Sequence, residues 1–140
     1  MNKTDSSCIF CKIANGTIPC YKVYEDDLVI AFLDVNPASR GHTLIVPKEH
    51  FKDMTTCPKD ILSHCFEVAQ LIAQAEITQL GATGVNVISN IGESAGQSVK
   101  HFHIHVIPRY DNDGLKLAFP PHKLEDSEML LLQDSIKKGM

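Results

Sequence analysis

Seven histidines occur in this 140-residue sequence, and three of them fall in the run His101-Phe102-His103-Ile104-His105-Val106-Ile107-Pro108. Imidazole serves as nucleophile, proton carrier and metal ligand near neutral pH. Three imidazoles at alternate positions therefore form a surface on which chemistry can be done. The residues between them are aromatic or β-branched, so residues 101–108 read as a strand. A strand has period two, which places His101, His103 and His105 on one face and the apolar residues on the other.

A second constellation is Cys8-Ile9-Phe10-Cys11, with the two-residue spacing of a thiolate pair that grips one tetrahedral metal. Two further ligands must come from a distance, and His50 and His101 are the candidates. Since alternation gives the three histidines one face, His101 is expected where the loop is still turning into the strand. Two free thiols on a short helix are the competing reading. A thioredoxin-like redox pair lacks its βαβ context, and zinc-finger spacing is missing. Cys20, Cys57 and Cys65 read as small buried thiols. Five cysteines and no export signal argue against a disulfide framework.

Other residues could complete a phosphate site. In the loop 92–100, Gly96 lets backbone approach a phosphate closely, and successive N–H groups can form an anion-binding concavity. Asn90, Gln97 and Ser98 add side-chain donors. Asp34 follows an apolar strand, where its carboxylate could take both ribose hydroxyls, with Phe32 and Val35 flanking a base. An exposed Asp capping the turn before Asn36-Pro37 is the alternative. No second carboxylate stands near Asp34 in the sequence, so no magnesium seat is expected.

The elements that must position these groups follow from periodicity. Residues 8–14 make a short helical turn ended by Asn15-Gly16. Tyr21 to Tyr24 and Leu28 to Leu33 form a hairpin around Glu25-Asp26-Asp27, an acidic turn expected to be solvated. Thr43 to Val46 is a third strand closed by Pro47, and Val85 to Ile91 a fourth. The long helix starts with Pro58 at its first position and Thr56 or Cys57 as cap. Apolar residues from Ile61 to Leu80 recur at three- and four-residue steps, and Gly81 and Gly84 end it. Residues 124–138 read as a terminal helix. The fold class is α+β: an antiparallel sheet of about five strands, one long helix covering a face, and a short N-terminal helix.

Length implies one domain over residues 1–140. A net charge of −4 with 13 scattered basic residues gives no electrostatic support for nucleic-acid binding. No apolar run approaches a membrane span, and the polar N-terminus points to the cytoplasm.

The His-x-His-x-His run resembles the signature of the histidine triad (HIT) family of nucleotide-binding hydrolases and transferases. Residues 32–37, the stretch 41–50, Asn90-Ile91-Gly92 and Gly96-Gln97-Ser98-Val99 resemble further family motifs in the correct order. The likeness runs from about Cys8 to Pro108 and is loose over 109–140. It implies a HIT-like fold in which His103 attacks the α-phosphorus and forms a nucleotidyl-histidine. A backbone carbonyl would hold its other ring nitrogen, with His42 in support. His105 would donate to a non-bridging oxygen and Ser98 would lie near the leaving group. His105, where one branch has glutamine, resembles the hydrolases. The resemblance further implies a purine nucleotide substrate yielding AMP, a structural zinc on Cys8, Cys11, His50 and His101, no catalytic metal, and a homodimer. Residues 109–140 would shape the leaving-group pocket. The rivals are a regulatory nucleotide-binding module with incidental turnover, and a metal-binding protein whose histidines all serve metal.

Overall fold

The computed structural model describes residues 4–140; Met1–Lys3, part of the polar start noted above, lie outside them. Five strands, β1 (Lys22–Glu25), β2 (Val29–Leu33), β3 (Thr43–Pro47), β4 (Gly84–Ile88) and β5 (Ile104–Arg109), form one antiparallel sheet. Its order is β1-β2-β3-β5-β4, so the consecutive hairpins β1–β2–β3 continue into a crossover pair. Helices α1 (Ile9–Ala14), α2 (Lys59–Leu80) and α3 (Asp126–Lys138) complete the chain, with short 3₁₀ turns at Met54–Thr56 and Glu93–Ala95. The α+β class read from the sequence stands. Among the described residues no helix is long and apolar enough to cross a membrane.

The sheet is covered on both faces over part of its area, which explains why β2 and β3 are apolar without alternation. Val29, Ala31, Ile45, Ile104 and Val106 pack with Ile61, Cys65, Val68 and Ile72 of α2. Their neighbours Ile30, Phe32, Leu44 and Val46 point the other way and pack with Cys8, Phe10, Cys11 and Ile13. The long helix therefore builds the main core, and α1 closes part of the opposite face. Cys65, completely buried, behaves as the small core thiol its helical position predicts.

Several boundaries differ from the sequence reading for local reasons. Pro58 is not the first helical residue but the N-cap itself, with ψ 147, and no side chain caps the helix. Its carbonyl accepts the first helical bond from the Leu62 N–H at 2.9 Å. Thr56 belongs to the separate turn that Asp53 caps. Gly81, at φ +72, ends α2 by itself, whereas Gly84 opens β4. The strand carrying the histidines starts only at Ile104, because the Phe102 N–H leaves the sheet ladder for the Phe51 carbonyl.

The acidic turn is not simply solvated. Asp26 accepts from the backbone N–H groups of Leu28 and Val29, from the Tyr24 hydroxyl and from His64 on α2. These donors hold its carboxyl well below the usual range, and the same contact raises the His64 pKa. A histidine raised above its unfolded value stabilises the fold fully below about pH 6.5 and loses that contribution as pH rises through its folded pKa. His64→Ala should therefore lower the melting temperature more at pH 6 than at pH 9. Thermal melts at both values check this, and equal deficits would remove charge from the contact.

Candidate active site and metal cluster

Main-chain groups decide which ring nitrogen of each histidine carries a proton. The His103 Nδ1 lies 2.7 Å from the His101 carbonyl, which can only accept. Nδ1 is therefore protonated and Nε2 keeps a free lone pair. The Ala38 N–H donates to His42 Nδ1 at 2.9 Å, so His42 carries its proton on Nε2. That Nε2 lies 2.9 Å from His105 Nδ1 and donates to it, leaving an N–H at His105 Nε2. Sequence reasoning expected His42 to support His103; the structure instead joins it to His105. Burial favours the neutral rings, lowering His42 and His103 and, with His103 and His42 adjacent, pushing His105 down to about 4.

His103 and His105 open onto a cleft of about 410 Å³, together with Phe32, Asp34, Val35 and Ser98. One Asp34 oxygen accepts the Asn36 N–H at 2.9 Å, which is the turn-capping role. The other faces His42 Nε2 at 3.7 Å. The two oxygens of this carboxylate therefore have different surroundings. Asn90 lies beside His42 and His105 in a neighbouring cavity that Leu117 and Phe119 of the tail also line.

Gln97 is placed differently from its predicted role. Its side chain is buried, accepts from the Gly92 N–H and donates to the Lys52 and Val99 carbonyls, so it braces the loop. Gly96, at φ +96, supplies the left-handed turn of that loop. Sequence reasoning missed the apolar wall of the cleft, where Ile9, Phe10, Ile18 and Cys20 lie. It also missed Ser89, whose hydroxyl donates to the His103 carbonyl at 2.9 Å. The apolar side of α1 was a readable signal; Ser89 carried none.

The second cluster assembles Cys8, Cys11, His50 and His101, with all four ligand atoms within 4.8 Å of one another. His101 Nδ1 is 3.3 Å from Cys8 Sγ, 3.5 Å from Cys11 Sγ and 3.1 Å from His50 Nδ1. A tetrahedral zinc with bonds of about 2.0–2.3 Å needs ligand atoms roughly 3.3–3.8 Å apart, so the donor set fits with small adjustments. His101 Nε2 donates to the Pro47 carbonyl at 2.9 Å, which aims the Nδ1 lone pair at the cluster. Burial pushes the His101 ring down to about 4, favouring the neutral ligand form. As expected, His101 precedes the strand, which starts at Ile104, and α1 packs on the same side of the sheet. Phe10, between the two cysteines, meets the His101 ring at 6.0 Å and the His103 ring at 5.0 Å.

The HIT domain family model matches residues 15–112. The chain belongs to the HIT family. It is similar to the crystal structure of a HIT family protein from Bacillus anthracis, at 41% identity and a TM-score of 0.90 over 98% of this chain and 99% of that one. An adenosine 5'-monophosphoramidase of Schizosaccharomyces pombe is 37% identical over 93% of this chain and 96% of its own length. A zinc-bound histidine triad family protein from Mycobacterium smegmatis is 38% identical, with a TM-score of 0.76 over 93% of this chain and 97% of that one.

Metal analysis of protein purified without chelator should find about one zinc per HIT chain, if the cluster closes around an ion. The double variant Cys8→Ser, Cys11→Ser should empty the site and lower the melting temperature, because structural metal binding contributes directly to folding. Metal-free wild-type protein of unchanged stability would refute the site.

Proposed function

We propose that this HIT protein is a nucleotide-binding hydrolase that releases a nucleoside monophosphate, AMP foremost, through a covalent nucleotidyl-histidine. The observation that carries the reading is the His103 ring, whose main-chain bond leaves the Nε2 lone pair free in the cleft. A neutral imidazole is a competent nucleophile. Its bond to phosphorus forms as the leaving-group bond breaks, and water then cleaves the phosphorus–nitrogen bond and returns the neutral ring. His105 donates its Nε2–H to a non-bridging oxygen, backed by His42. Ser98 and the loop N–H groups after Asn90 and around Gly96 supply further donors, and Gln97 holds that loop in shape. Asp34 takes the ribose hydroxyls, while Phe32 and Val35, with Phe10 and Ile9, enclose a purine. The Schizosaccharomyces pombe relative, an adenosine 5'-monophosphoramidase, supports an amine leaving group.

In the same reading Cys8, Cys11, His50 and His101 hold a structural zinc, and no catalytic metal takes part. Asp34, His42 and His105 also gather their ligand atoms. The proton that Ala38 fixes on His42 Nε2, however, makes this group a hydrogen-bond chain. The protein works in the cytoplasm as a homodimer. In support, β4 lies at a sheet edge, and α3 exposes Met129, Leu130, Leu131, Leu132 and Ile136.

An adenosine phosphoramidate tests the reading. Wild-type protein should hydrolyse it in excess EDTA without magnesium, and protein denatured during turnover should carry an adenylyl adduct on His103. His103→Ala should lose at least about a thousandfold in kcat, the scale expected when a covalent catalyst is removed, while still binding AMP. More than about a tenth of wild-type kcat in that variant would move the nucleophile elsewhere. Turnover that EDTA stops and magnesium restores would overturn the metal-free step. Turnover that returns only with zinc would tie the Cys8 cluster to the position of the active strand.

A further inference from the structure

On the α2 face of the sheet, away from the triad, lies a second cleft of about 360 Å³ whose walls include Val23, Leu33, Leu71 and Leu80. Two ionisable groups line this apolar space: Tyr24, whose hydroxyl already donates to Asp26 at 2.6 Å, and Glu76 of α2, whose side chain is nearly fully buried. Its Oε1 has no hydrogen-bond partner among the described residues. Its Oε2 has only the Thr43 hydroxyl at 3.4 Å. That hydroxyl has a single proton and sits 2.7 Å from the Gly41 carbonyl, so it is already engaged. A buried carboxyl without a donor is costly, and neither core packing nor the triad chemistry uses it.

We propose that the Glu76 cleft binds a small amine with an apolar body, the ammonium group pairing with the Glu76 carboxylate and the hydrocarbon lying between α2 and the β1–β2 hairpin. The lining selects this class. The leucine and valine walls reward a hydrocarbon, while the orphan carboxylate can only accept and so asks for a donor. A cationic donor satisfies it best, because charge-assisted hydrogen bonds are the stronger kind. Burial alone pushes the Glu76 carboxyl up to about 7. A bound cation would offset that penalty and keep the group ionised.

The site can be tested on the full-length protein by protein-observed NMR titration at pH 8, with hexylamine and 1-hexanol as probes of equal length. Hexylamine should bind at least about tenfold more tightly than the alcohol, the scale of one charge-assisted hydrogen bond. Shifts should centre on Gly41, Thr43, Leu71 and Glu76, and Glu76→Gln should bring the two affinities within about threefold. Leu71→Trp, at an exposed position on the cleft wall, should weaken both probes and gives a second measure if the Gln variant does not fold. Equal affinities in the wild type would overturn the proposal. So would shifts centred on Ser98 and His103, or an amine preference that survives Glu76→Gln.

Discussion

The site depends on main-chain groups that fix imidazole protons. The His101 carbonyl fixes His103, the Pro47 carbonyl fixes His101, and the Ala38 N–H fixes His42 and through it His105. A neutral imidazole has one donor and one acceptor, so each of these contacts decides which nitrogen can attack, donate or ligate. Three chemically identical rings within five residues thereby acquire three different capacities. Burial keeps them neutral, and without it the assignment would fail, since a protonated ring has no lone pair left to direct.

The sheet geometry makes those contacts possible. Because β5 begins at Ile104, His101 and His103 precede the regular ladder, and the backbone there is free to turn a carbonyl back on a side chain. His105, inside the strand, pairs in register with Leu44 and Ile88 and so shares the face that α1 partly covers. Phe10 then ties the two clusters together, since its ring packs edge-on against His101 on one side and His103 on the other. Anything that fastens Cys8 and Cys11 also fastens the Phe10 wall of the cleft beside His103.

Much of this was legible in the sequence because it lies in periodicity and spacing. Alternating histidines, a CxxC pair, a long amphipathic stretch and hairpin turns all leave residue-type signatures. The four-residue Cys/His set and the cleft grouping of Phe32, Asp34, Ser98, His103 and His105 come together as read. What was hidden is carried by groups without such signatures. The carbonyl that holds His103 was expected from the family resemblance alone, since no residue type announces it, and nothing in the sequence showed that His42 would meet His105. Gln97 looked like a free donor because its three partners are main-chain groups, one of them, the Lys52 carbonyl, 45 positions away in sequence. Asp26 looked like a solvated turn residue because its contact with His64 crosses 38 positions of sequence.

Helix α3 is thirteen residues long, and none of its side chains is buried. Isolated helices of about that length are marginal in water, and this one has favourable end charges and little else from its own chain. Its leucines gain nothing from the helical state until something outside the fold covers them. Helicity at the C-terminus therefore rests on local end charges and owes nothing to the core that holds the other two helices.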